Sequence, residues 1–276
     1  MCKATAAVVQ ITSTPSVARN VQTVTRLLTQ AASRGAGMVF LPEAADFMSP
    51  ASSVFELSQP LERHSFLNAI RESARSLGLF VNVGIHERPP SSVSMEKGYN
   101  TNVVIAKDGS IISKYRKVHL FDVDLSPTGP KILESATTIP GTEIVAPVST
   151  PIGKLGLQTC YDIRFAEPSN SLTRQGAELL AYPSAFAPHT GAAHWETLLK
   201  ARAIENQCYV LGSAQSGEHF PSRSSYGRAM IVDPWGTIVA QCPQIATEKG
   251  KICFAEIDLG YLNKVRREMP MGWALK

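Results

Sequence analysis

The sequence contains no run of about 18 uninterrupted apolar residues, so no membrane-spanning helix is expected. It also has no basic cluster. Lys and Arg number 27 against 23 Asp and Glu, a formal net charge of +4. So mild a balance argues against a nucleic-acid partner and leaves room for an anionic small molecule. Cysteine is sparse. Cys2, Cys160, Cys208, Cys242 and Cys253 are odd in number and form no Cys-x-x-Cys spacing, which speaks against a disulfide framework or a zinc ribbon. Most of these thiols are expected to be small buried hydrophobes. Met1 to Gln10 holds one lysine and runs straight into a strand pattern without the layout of a signal peptide. A cytoplasmic location is expected, with an organellar isoform from another transcript compatible with it.

Hydrophobic residues make up 44% and charged residues 18% of the 276, a folded rather than a disordered composition. Apolar runs with strand character alternate with helical patterns, and no linker interrupts them. One α/β domain over residues 1–276 is the simplest organisation. Ala4 to Ile11 reads as a buried strand. Thr14-Pro15 reads as a cap, followed by the face Val17, Val21, Val24, Leu28 and Ala31. Gly35 and Gly37 close that helix, and Met38 to Leu41 is the next strand. A helix over Ser65–Leu77 and a strand over Leu79–Ile85 follow. Val103–Ala106 and Ile111–Tyr115 flank a Gly109 turn as a hairpin. Asp122 to Thr142, rich in Pro, Gly and Ser, reads as one long loop. A second hairpin is predicted from Ile144–Val148 and Lys154–Thr159. Pro168–Gln175 reads as a helix and Leu179–Tyr182 as a strand. The helix His194–Asn206 comes next, then strands over Tyr209–Ala214, Ala229–Val232, Thr237–Gln241 and Lys251–Ile257, and a closing helix over Leu259–Glu268.

Cys160 lies between a predicted strand and a predicted helix. A thiol on such a turn is exposed at a sheet edge near backbone N–H groups, the layout of a nucleophile. An ordinary thiol, with a pKa of about 8.5, needs a base or a positive field to react at neutral pH. Two schemes are open: a Cys–His pair using His86, His119 or His194, or a Cys–Glu–Lys set. For the second, Glu43 ends the strand in Phe40-Leu41-Pro42-Glu43, and Lys117 ends the strand in Tyr115-Arg116-Lys117. Strand ends are where α/β sheets place their sites, although an ordinary edge salt bridge would use the same residues.

Phe40-Leu41-Pro42-Glu43, Tyr115-Arg116-Lys117 and Cys160-Tyr161-Asp162-Ile163-Arg164-Phe165 resemble, in order and spacing, the three signature blocks of the nitrilase (carbon-nitrogen hydrolase) superfamily. The resemblance runs from Ala4 to about Glu268. It implies a four-layer α-β-β-α sandwich and amide hydrolysis through a thioester, with no metal or organic cofactor. It implies Glu43 as general base, Lys117 as stabiliser of the tetrahedral intermediate and Cys160 as nucleophile. A second glutamate in the loop after the lysine matches Glu134, and the Tyr161 N–H is a candidate oxyanion donor.

Tyr182 to Phe186, the segment Thr190–Glu196, Ala201 to Val210 and Val232 to Gly236 are similar to a branch that cleaves the amide of 2-oxo acids, deaminated glutathione among them. Ala192 stands where that branch commonly has proline. A small-molecule keto-acid amide is thus the expected partner, and the branch implies a homodimer or higher homo-oligomer. Arg164 is the candidate cation for the substrate carboxylate, its alternative being an ion pair with Asp162 or Glu167. Thr190 is a candidate hydrogen-bonding partner and Phe186 a candidate pocket wall. His194 and Trp195 are expected to pack, and Glu196 and Glu205 to make structural ion pairs. An omega-amidase acting on 2-oxoglutaramate or 2-oxosuccinamate, a carbamoylase, a nitrile hydrolase, a non-catalytic scaffold of the same fold and a redox-sensing thiol are the rival readings.

Overall fold

The computed structural model describes residues 3–124, 126–127, 131–244 and 249–271. Cys2 lies outside them. The first half supplies five strands of one sheet and the helices that cover it. β1 (Ala4–Ile11) leads to α1 (Val17–Ser33), capped by the Ser16 side chain rather than by Thr14. β2 (Ala36–Phe40) absorbs Gly37, and Gly35, with φ of 72°, alone makes the turn before it. α2 (Ala51–Leu57) buries none of its residues fully and has no apolar stripe to announce it. α3 (Ser65–Leu77) ends on Gly78 in the left-handed region, as its sequence predicts. β3 (Phe80–Glu87), β4 (Tyr99–Ile105) and β5 (Ile111–Arg116) follow. β4 begins earlier than hydropathy suggests, because its first residues include the buried polar Asn100, Thr101 and Asn102. Asn82 Nδ2 donates to Asn102 Oδ1 at 2.5 Å, and Asn102 Nδ2 donates to the Gln158 carbonyl at 2.9 Å.

The predicted long loop contains a small hairpin, β6 (Asp122–Asp124) with β7 (Lys131–Leu133), and a 3-10 turn over Glu134–Ala136. β8 (Val148–Thr150) pairs with β9 (Gly153–Leu157). The predicted hairpin forms around its predicted Pro151-Ile152 turn, but its first strand is confined to Val148–Thr150 and its second starts one residue earlier, at Gly153. α4 (Ala166–Arg174), β10 (Leu179–Ala181), α5 (Pro188–Thr190), α6 (Glu196–Asn206) and β11 (Tyr209–Gly212) come next. Between α5 and α6, Gly191–Trp195 is a π-helical turn, so the predicted helix starts six residues early and the Thr190–Glu196 segment is helical rather than a loop. Pro188 at the first helical position sets that start. β12 (Ala214–Phe220) and β13 (Arg223–Tyr226) form a polar hairpin without the alternation that flags a strand pair. β14 (Met230–Val232), β15 (Ile238–Gln241), β16 (Lys251–Ile257) and α7 (Leu259–Glu268) complete the chain.

Among the described residues, one sheet has the order β13-β12-β1-β2-β3-β4-β5, with β16 also paired to β1, and the other has the order β15-β14-β11-β10-β9-β8. Strand alternation then decides the layers. Along β1, Ala6 and Val8 face the other sheet, while Ala7, Val9 and Ile11 face the helices. Along β2, Met38 and Phe40 face the sheet and Val39 faces the helices. α1 and α3 cover the first sheet with Val24, Leu28, Phe66, Leu67 and Ile70. α4 and α6 cover the second with Leu172, Leu199 and Ala203. The result is the helix–sheet–sheet–helix sandwich. β2 and β3 run parallel, and β5 is antiparallel to β4, which is antiparallel to β3. The chain therefore leaves β2 and β5 at the same end of the sheet.

Candidate active site

Glu43, Lys117 and Cys160 follow the C-terminal ends of β2, β5 and β9, and line one cavity of about 520 Å3. Lys117 Nζ donates to Glu43 Oε1 at 3.0 Å and to Glu134 Oε2 at 2.8 Å. The lysine side chain is 2% exposed. An ammonium has three N–H donors, and these contacts use two. Cys160 hydrogen-bonds Glu43 through its thiol and receives the Ala185 N–H. The four chemical groups expected from sequence are thus assembled.

Backbone geometry holds them. Cys160 has φ of 49°, a left-handed conformation that costs energy in a residue with a Cβ. It opens a 3-10 turn over Cys160–Arg164, and its N–H donates to the Pro183 carbonyl at 3.1 Å. Ala44, next to the carboxylate, also has a positive φ of 53°. Gln215 Nε2 donates to the carbonyls of Glu43 at 2.9 Å and Ala44 at 3.1 Å, which clamps that loop. Gly84 of β3 lies against the same loop. A Cβ there would sit 2.6 Å from Glu43 Cα, so only glycine lets the two backbones meet.

Protonation follows from the neighbours. Burial pushes the Glu43 carboxyl upward, but the Lys117 ammonium and the hydrogen bonds from Cys160, Lys117 and Asn100 outweigh it, and its pKa lies below the ordinary carboxylate value. Lys117 is opposed by burial, yet the charges of Glu134 and Glu43 hold its pKa well above the usual lysine value. Burial raises the Cys160 pKa, and the Glu43 charge adds to it against the pull of Lys117 and the Ala185 N–H. The resting site is a thiol beside a carboxylate and an ammonium.

Several residues build the site through partners that the sequence does not show. Asn100 Nδ2 donates to Glu43 Oε1 at 2.7 Å and to Glu134 Oε1 at 3.0 Å, bridging both carboxyl groups. Asp162, fully buried, ties the Cys160 turn to the strand that leads to Lys117. It accepts from Thr159 N at 2.9 Å, Tyr115 Oη at 2.7 Å, His119 N at 3.0 Å and His119 Nδ1 at 2.8 Å. Asp46 accepts from His86 N and His86 Nδ1, each at 3.0 Å, and His86 lines the cavity. Burial lowers the His86 pKa, but Asp46 outweighs it and the net shift is upward. These are single polar residues inside otherwise ordinary strands and turns, so only their partners reveal them.

The Cys–His scheme is set aside. His86 is held by Asp46, His119 by Asp162 and by stacking on Phe165 at 3.8 Å between centroids, and His194 by Arg164. Arg164 lines the cavity and forms no ion pair with a described residue, contrary to its alternative reading. Its Nη2 lies 3.2 Å from His194 Nδ1, and its guanidinium lies 5.6 Å from the Tyr161 ring and 5.4 Å from the Phe186 ring. His194 is exposed instead of packed. Trp195 does pack, against Phe186 at 4.9 Å, and its Nε1 donates to the Arg228 carbonyl at 2.8 Å. Phe186, Thr190 and Tyr161 all line the cavity. Glu196 pairs with Lys200 and Glu205 with Arg202, as expected. Cys208 and Cys242 are buried and Cys253 is half-buried.

A family model described as carbon-nitrogen hydrolase matches residues 5–267. The chain is 47% identical over 268 residues to the deaminated glutathione amidase of Homo sapiens, covering 96% of this chain and 80% of that protein. It is 45% identical over 268 residues to the probable hydrolase nit2 of Schizosaccharomyces pombe, covering 96% and 95%. Among solved structures, the C. elegans NitFhit protein superposes with a TM-score of 0.90 at 42% identity, over 97% of this chain and 64% of that one. Saccharomyces cerevisiae Nit3, described as a member of branch 10 of the nitrilase superfamily, gives a TM-score of 0.85 at 29% identity over 98% and 95%. With the family model spanning nearly the whole length, the chain belongs to the carbon-nitrogen hydrolase family, as an amidase.

Proposed function

We propose that this amidase hydrolyses deaminated glutathione to 2-oxoglutarate and cysteinylglycine, a metabolite-repair reaction. The observation that carries the chemistry is the buried contact of Glu43 with both Lys117 and Cys160. The likeness to the human amidase over nearly the whole chain supports the substrate.

In this reading Glu43 takes the Cys160 proton as the sulfur attacks the amide carbon. The C=O pair moves onto oxygen, where the remaining Lys117 N–H and the Tyr161 backbone N–H receive it. Each fixed donor of this kind contributes about 3–4 kcal/mol in a water-poor site. The C–N bond then breaks, Glu43 passes its proton to the departing nitrogen, and cysteinylglycine leaves. The thioester is cleaved by water, which Glu43 deprotonates, and 2-oxoglutarate is released as the thiol is restored. Glu134 holds Lys117 in place throughout and balances its charge. Arg164 binds the 2-oxo acid carboxylate beside Phe186, with Thr190 as a further hydrogen-bonding group.

Arg164, Phe186 and Thr190 would serve 2-oxoglutaramate equally, because the acyl part is the same. Omega-amidase activity is therefore the second reading. Cysteinylglycine release from deaminated glutathione is to be measured beside 2-oxoglutarate formation from 2-oxoglutaramate, with Cys160→Ala as control. Higher kcat/KM on the first, abolished in the variant, is expected. Faster turnover of the second assigns omega-amidase, and turnover of no amide by the wild type defeats both.

A further inference from the structure

Five cationic side chains line the cavity among the described residues, and three of them have an acidic partner. Lys117 lies on Glu43 and Glu134, His86 on Asp46, and Lys131 on Asp124 at 2.7 Å. Arg164 and Arg223 have no carboxylate partner among the described residues. A guanidinium keeps its charge in a protein. Two such groups facing one half-apolar cavity, beside Phe186 and Phe220, call for anionic groups from the ligand.

Arg223 opens β13, just past the tip of the β12–β13 hairpin, where Ser222 takes a φ of 72°. Its Nη2 donates to the Ala185 carbonyl at 3.4 Å, and the N–H of that same residue faces the Cys160 sulfur. The guanidinium is thereby fixed within one residue of the reaction centre, on an element separate from the turn that carries Arg164.

Resting on the substrate proposed above, we infer that Arg223 forms the leaving-group subsite and binds the C-terminal carboxylate of the departing cysteinylglycine. Deaminated glutathione carries one carboxylate on its acyl side and one on its leaving side. With Arg164 serving the first, Arg223 is the unpaired cation left for the second. A substrate that releases ammonia has only the first and leaves Arg223 unmatched. The residue thus sets preference for a peptide amide with a free C-terminus over a simple amide.

The test compares deaminated glutathione with its C-terminal glycinamide in the wild type, Arg223→Gln, Arg223→Lys and Arg164→Gln. A charge-assisted bidentate contact predicts a wild-type preference in kcat/KM for the free acid of about 10–100-fold. Arg223→Gln brings that ratio to about 1, Arg223→Lys retains part of it, and Arg164→Gln lowers both substrates while the ratio persists. Because the readout is a ratio within one protein, partial loss of folded enzyme cancels. A wild-type ratio near 1, or an Arg223→Gln loss shared equally by both substrates, overturns the subsite alone. A wild type that releases no cysteinylglycine yet hydrolyses 2-oxoglutaramate overturns the substrate reading and the subsite together.

Discussion

Asn100→Ala isolates what the bridge between the two carboxyl groups does. The side chain is nearly buried, and its Nδ2 donates to Glu43 Oε1 at 2.7 Å and to Glu134 Oε1 at 3.0 Å. A hydrogen bond to a charged acceptor contributes about 1.5–3 kcal/mol. The bond to Glu43 favours its ionised form, and it is one of the contacts that hold that carboxyl below its ordinary pKa. At about 1.36 kcal/mol per pH unit, its loss moves the acid limb of kcat/KM upward by roughly 1–2 pH units. Water entering the vacated space recovers part of this, so about one unit is expected. Asn100→Asp keeps the shape but puts a third carboxyl against the other two, which raises the limb further. The Asn100 carbonyl, which accepts Lys117 N at 2.9 Å, is untouched in both variants. The assay is kcat/KM from pH 4 to 9 for wild type, Asn100→Ala and Asn100→Asp. A lowered plateau with an unmoved acid limb in both variants would show that Asn100 only fills space, and would refute the argument.

The same electrostatics gives the wild-type pH profile. Glu43 is held below, and the Cys160 thiol above, their usual values, so kcat/KM should be level from about pH 5 to about 9. An alkaline limb near pH 8.5 in activity or in iodoacetamide inactivation would instead reveal an ordinary thiol. Gly84→Ala places a Cβ 2.6 Å from Glu43 Cα, and should cost about 1–3 kcal/mol in urea unfolding and at least tenfold in kcat/KM; unchanged values in both would disprove the close approach. Asp162→Ala strands the buried donors of Thr159, Tyr115 and His119, and a loss of about 3–5 kcal/mol in denaturant unfolding is expected. A loss under about 1 kcal/mol would mean that water replaces the carboxylate without penalty.

Period and strand-end chemistry were legible in the chain. The continuous apolar runs of β1 and β2 were legible as strands, and the packed structure shows that one side of each meets helices and the other a second sheet, because neighbouring side chains on a strand point to opposite faces. Glu43, Lys117 and Cys160 could be read because each lies at the end of a predicted strand, and the family resemblance joined them with Glu134 across the chain. The β12–β13 hairpin, α2 and the early start of β4 escaped, since their residues are polar or lie at half-buried positions with no periodic apolar face. The partners of Asn100, Asp162, Gln215, Asp46 and His86 escaped for a different reason. Nothing in one strand says which distant donor its polar side chain will meet. Partnering, and with it the protonation of Glu43 and Cys160, exists only after two sheets bring residues more than 40 positions apart within about 3 Å. Local sequence therefore determined which segments are strands and helices, and it marked Glu43, Lys117, Cys160 and Glu134 as candidates that the fold brings to one cavity. The tertiary packing decided their charges, their hydrogen bonds and which cations remain unpaired for a ligand, because those properties depend on distance through space rather than along the chain.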